Sequence, residues 1–69
     1  NGHKVLKKSC RLMCDLFHGR LGQAEIDQNG ASIVINVRTE FEDERFVKNE
    51  KAIVFRKDEE GDVYYISKL

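Results

Sequence analysis

The chain has no proline, no net charge, only two cysteines and no apolar run long enough to cross a bilayer. Each absence excludes something. Twelve basic residues balanced by twelve acidic ones remove the global pull toward nucleic acid or an anionic membrane that a strongly basic module exerts, although they leave room for a local patch. A membrane-spanning helix needs ~20 apolar residues, so the chain reads as a soluble unit. It starts at Asn1 rather than Met, which reads as an excised segment of a larger protein or as foreign residues at its start, and a missing membrane or targeting segment says nothing about the parent. Without proline or low-complexity runs, and with 41% apolar residues, the composition fits a folded domain rather than a disordered one. Its 69 residues allow one domain with a compact core, burying only ~60% of the surface exposed on unfolding.

What is present is mainly strand pattern. Gly19 to Val37 contains two strands around Asn29-Gly30, a dipeptide that tolerates the positive φ of a tight hairpin turn. On the first strand, Ala24 and Ile26 can face a core, with close approach at the glycines. On the second, Ile33, Ile35 and Val37 share one face, and Ser32, Val34, Asn36 and Arg38 share the other. Thr39 to Arg45 is acidic and reads as a solvated connection. Phe46-Val47 is a short third strand or a core anchor. Asn49 is the candidate left-handed residue of a turn over 48–51. Ala52 to Arg56 is a central strand, 58–62 an acidic hairpin loop, and Val63 to Ile66 the last strand.

Five strands with glycines in the first need curvature, and closing the sheet protects its edges. The expected fold is therefore all-β, a small five-stranded OB-like barrel over residues 16–69, with an SH3-like barrel as the alternative. Residues 1–15 read as a lead-in or linker. Over residues 4–17, Leu6, Cys10, Met13 and Phe17 form a stripe at helical period, which suggests a short amphipathic helix or a disordered stretch.

Phe17-His18-Gly19-Arg20-Leu21-Gly22-Gln23-Ala24, Phe46-Val47-Lys48-Asn49-Glu50-Lys51-Ala52-Ile53-Val54-Phe55 and Val63-Tyr64-Tyr65-Ile66 together resemble the C-terminal OB-fold domains of the NfeD-like and YqiJ-like membrane proteins. The resemblance spans roughly residues 16–69, with Asn49 standing where those domains often carry glycine. It implies a membrane-anchored parent whose soluble module supports membrane-protein quality control or assembly through protein contacts; apart from the resemblance, the reading of the cysteines as reduced thiols makes a cytoplasm-facing module the expectation.

Candidate chemistry is sparse. Cys10, Cys14 and His18 would line one face if residues 8–18 were helical, but the spacing is not a standard zinc signature and a fourth ligand is missing unless His3 folds back. Cys10 and Cys14 on a helix would also have Cα atoms ~6 Å apart in a poor disulfide geometry, so they read as reduced thiols. Gly19-x-x-Gly22-x-Ala24 lacks the spacing and the Lys-Ser/Thr ending of a phosphate loop, and reads as a tight bend. The carboxylates sit in hydrophilic runs expected to stay solvated, whereas a general acid needs a desolvated carboxyl group, and no histidine lies near Ser9, Ser32 or Ser67 along the chain, so no enzyme and no cofactor are expected. For single-stranded nucleic acid, Tyr64, Tyr65 and Phe55 with Arg38, Arg56 and Lys57 would form a stacking and phosphate-binding face, with Tyr65, Arg38, Arg56 and Lys57 as the candidate contacts; alternation sends the two tyrosines to opposite sides of the last strand, and the acidic loops oppose binding. The sequence therefore favours a non-catalytic protein-interaction or assembly module, with single-strand nucleic-acid binding as the alternative and pairing of two copies through a free strand edge as a further option.

Overall fold

A computed structural model describes residues 5–69. Among the described residues there are seven strands: β1 (Ser9–Leu12), β2 (Leu16–Phe17), β3 (Gly22–Gln28), β4 (Ala31–Thr39), β5 (Arg45–Phe46), β6 (Lys51–Lys57) and β7 (Val63–Lys68). Five of them close a barrel in the order β1-β3-β4-β7-β6, while β2 and β5 form a separate two-stranded pair. All neighbours in the barrel are antiparallel except β4 and β7. A closed Greek-key order with one parallel pair is the OB arrangement, so the OB-like expectation holds and the SH3-like alternative is set aside.

The Asn-Gly turn forms as its sequence dictates. Asn29 and Gly30 adopt φ of 55° and 83°, which brings Gln28 opposite Ala31 and fixes the register up to Gly22 opposite Val37. That register turns Ala24, Ile26, Ile35 and Val37 into the core. Asn49 is left-handed as expected, at φ 74°. Gly22 marks a close approach, since a Cβ there would lie 2.8 Å from Leu16 Cδ1 and 3.1 Å from Cys14 Sγ. Gly19, at φ +88° with open space around it, is needed instead for a left-handed turn between β2 and β3.

The lead-in requires correction. Expected to be helical or disordered, it contains β1, whose Cys10 and Leu12 are buried while Ser9 and Arg11 are exposed. β1 pairs with β6 on one side and β3 on the other, and these two ladders close the barrel. The helical stripe fails because Met13 and Phe17, two of its four members, are 42% and 43% exposed, and because Lys7 takes a left-handed φ of 68° that no helix contains. Backbone bonds from Lys7 N to Val54 O (2.6 Å) and from Val54 N to Lys8 O (2.9 Å) carry the pairing with β6 toward the N-terminus.

Phe46-Val47, expected as a short third strand or a core anchor, supplies both through Phe46, with the strand starting one residue earlier. Arg45–Phe46 pairs with Leu16–Phe17 outside the barrel, and Leu16 and Phe46 are driven into the core beside Leu12, Ile26, Val37, Val54 and Ile66. The β2/β5 pair thus plugs the barrel end where β1 finishes and β3 begins. A β-bulge between Val54 and Arg56 interrupts the β6/β7 ladder and leaves Phe55 exposed.

If β1 closes the barrel, Leu12→Ala costs ~2–5 kcal/mol in urea denaturation, whereas Met13→Ala stays within ~0.5 kcal/mol. A chain beginning at residue 16 shows no cooperative unfolding transition.

Candidate functional site

Three of the four residues singled out from the sequence meet on the outer surface. Arg38 of β4 lies opposite Tyr65 of β7, and Tyr65 lies opposite Arg56 of β6, so the three form a row across adjacent strands. The bulge makes this possible. Strict alternation from the buried Val54 would send Arg56 inward, but the extra residue, Phe55, re-aims it outward onto Tyr65.

In the row, the Arg56 guanidinium sits 4.1 Å from the centroid of the Tyr65 ring, and its Nη2 donates to Glu40 Oε1 at 2.5 Å. This carboxylate, more than any other group, holds Arg56 in its charged form. Arg38 makes a longer contact of 3.5 Å from Nη1 to the carbonyl of Gly19. Lys57 does not join them. It lies opposite Tyr64 and reaches the Gly61 carbonyl with Nζ at 3.3 Å. Tyr64 and Tyr65 take opposite sides of β7, as alternation requires: Tyr64 is core and Tyr65 half-buried. Burial, reinforced by Asp62, raises the Tyr64 phenol above its ordinary pKa.

The row is electrostatically self-contained. A nucleobase stacking on Tyr65 would have to displace Arg56, and a phosphate approaching Arg56 would compete with Glu40. In OB folds, the face of the second and third barrel strands is flanked by the loop joining the fourth and fifth. Here that loop is 58–62, which carries Asp58, Glu59, Glu60 and Asp62, and Asn36 on the face donates to the Asp62 carbonyl at 3.2 Å. The outward side chains of β3 add Glu25, which is paired with Arg11, and Asp27, which accepts from Ser32. Acidity therefore surrounds the surface that would have to meet phosphates.

The thiol and imidazole groups do not assemble. Cys10 points into the core, Cys14 is half-buried and His18 is exposed. Because residues 8–18 form strands rather than a helix, their i, i+4, i+8 alignment is lost. Among the described residues no group of three or more His, Cys, Asp or Glu side chains could hold a metal ion; His3 lies outside them. Burial pushes the Cys10 thiol up to about 11.

The structure also reveals a groove lined by Met13, Cys14, Leu21, Gly22, Gln23 and Asn36. The sequence gives no separate signal for it, because Met13 also falls on the helical-period stripe of Leu6, Cys10 and Phe17. At the same barrel end, Lys68 is held by Glu50 at 2.8 Å and lies over the Phe46 ring. Lys68, with the Val47 amide, lowers the Glu50 pKa.

No family model and no curated protein matches this chain. A solved structure does: the soluble domain of a membrane protein implicated in regulation of membrane protease activity, from Corynebacterium glutamicum, with a TM-score of 0.69. The likeness covers 99% of this chain and 97% of that one at 13% identity. The two chains share a fold. The likeness to a membrane protein's soluble domain suggested by the sequence is thus met at the level of architecture, β1 included.

Because the fold favours the neutral Cys10 thiol, that contribution is fully present below the ordinary value of 9.0 and is lost as pH rises through about 11. Thermal melts from neutral pH upward should fall over this window, and the fall should be shallower in Cys10→Ala. An aromatic disulfide reagent should modify Cys14 in the native state and Cys10 only on unfolding.

Proposed function

We propose that this chain is a non-catalytic protein-interaction or assembly module, the cytoplasm-facing soluble domain of a membrane-anchored parent of the NfeD-like kind. The supporting observation is the likeness of fold along essentially the whole chain to the soluble domain of a membrane protein implicated in regulating membrane protease activity. A barrel of this kind presents a rigid surface and short loops to a partner, and needs no cofactor to do so. Arg38, Arg56 and Tyr65, and outside their row Lys57, are the side chains proposed to meet that partner.

The row of Arg38, Tyr65 and Arg56 is the one feature that favours single-strand nucleic-acid binding. The internal pairing of Arg56 with Glu40 and the acidic 58–62 loop weigh against it.

Fluorescence anisotropy of labelled single-stranded oligonucleotides, at low and physiological salt, separates the two readings. Under the interaction reading no salt-sensitive binding appears, and Arg56→Ala and Tyr65→Ala change nothing. Binding that weakens with salt and is lost in Tyr65→Ala would overturn it.

A further inference from the structure

Among the described residues, closure of the barrel leaves a stretch of the β4 edge open. β4 runs over nine residues, yet β7 pairs only with Asn36 to Thr39. Ala31 to Ile35 are therefore paired with β3 alone, and Ala31, Ser32, Ile33 and Val34 are all exposed. The tight turn fixes which peptide groups are free. Gln28 and Ala31 form the first hydrogen-bonded pair, so Ala31, Ile33 and Ile35 direct their N–H and C=O groups toward β3, while Ser32 and Val34 direct theirs outward. Among the described residues, no backbone hydrogen bond outside the strand ladders uses these two outward-facing residues.

This edge has none of the usual protection. From Gly30 to Val37 there is no charge and no proline, and Ile33 and Val34 are 38% and 50% exposed. Five residues at ~3.3 Å each offer a ladder of ~16 Å, in line with the start of β7.

We propose that Ala31–Ile35 accepts an extended peptide segment as an added strand, and that the segment is apolar at alternate positions and basic at its ends. This rests on the interaction reading and gives that reading a partner chemistry. The ladder supplies affinity through the Ser32 and Val34 peptide groups, and an apolar side chain beside Ile33 covers its exposed surface. Charge selects the ends of the segment. The slot abuts the 58–62 loop with Asp58, Glu59, Glu60 and Asp62, and Asp27 stands beside Ser32 across β3. The cation placed here, Lys57, is occupied by the Gly61 carbonyl. A second copy is disfavoured as the occupant, because edge-to-edge pairing would bring two acidic loops together.

The test is a titration of the isotopically labelled domain with a blocked heptapeptide of alternating valine and threonine with a lysine at each end, followed by amide shifts and hydrogen exchange. Shifts should centre on residues 31–35. The Ser32 and Val34 amides, fast to exchange in the free domain, should become protected, while those of Ile33 and Ile35 are protected throughout. A Glu59→Lys/Glu60→Lys variant should bind about tenfold more weakly, and glutamate-ended peptide should bind no better than that variant. Val34→Pro removes only an outward N–H, as an edge strand tolerates, and should abolish binding; the exchange data decide the matter if that variant does not fold. Shifts confined to another surface would overturn the edge proposal and leave the interaction reading standing. No shift at millimolar peptide, or self-association through residues 31–35, would overturn it as well, while the oligonucleotide experiment tests the broader reading independently.

Discussion

Everything in this domain depends on one short strand making two ladders at once. β1 bonds to β6 along one edge and β3 along the other. Without it the remaining four barrel strands would form an open sheet with long unpaired edges, and Leu12, Ile26 and Val54 would lose the enclosure that keeps them dry. A chain this small has little core to spare, so the plug formed by Leu16 and Phe46 matters nearly as much. Both devices come from segments too short to hold a structure alone, and both are fixed by contacts distant in sequence.

That explains which parts of the fold were legible. The hairpin could be read because its turn is local chemistry: Asn29-Gly30 sets the register, and the register sets the inward faces of β3 and β4. The same holds for the left-handed Asn49 and the opposed tyrosines of β7. β1 was hidden because four residues hold only two inward positions, Cys10 and Leu12, and these were outvoted by an accidental helical spacing that included the exposed Met13 and Phe17. The decision between helix and strand lies in closure, which no local window contains.

The candidate site divides similarly. Residues of β4 and β7 alternate regularly, so Arg38 and Tyr65 could be placed on one outer face. Arg56 reached that face for a reason alternation does not predict, the bulge at Phe55. Its pairing with Glu40, the residue just past the end of β4, depends on that displacement. The same pairing diminishes the case for phosphate binding, a judgement that a count of basic residues could not reach. Gly22 was read correctly as a point of close approach, though its neighbour is the plugging Leu16 rather than a bend in the strand.

Closure also sets the order in which the domain can acquire its structure. Ser9 waits for Ile53 and Leu12 for Glu50, so β1, which leaves a ribosome before the strands it pairs with, is among the last of them to be secured. Until β6 has emerged, the β3/β4 hairpin is the one unit able to form on its own contacts, and it carries the uncharged stretch Gly30 to Val37 at its margin. During synthesis this domain therefore presents an adhesive hairpin before it presents a barrel, and the interval between the two is the period in which it most needs protection from neighbouring chains.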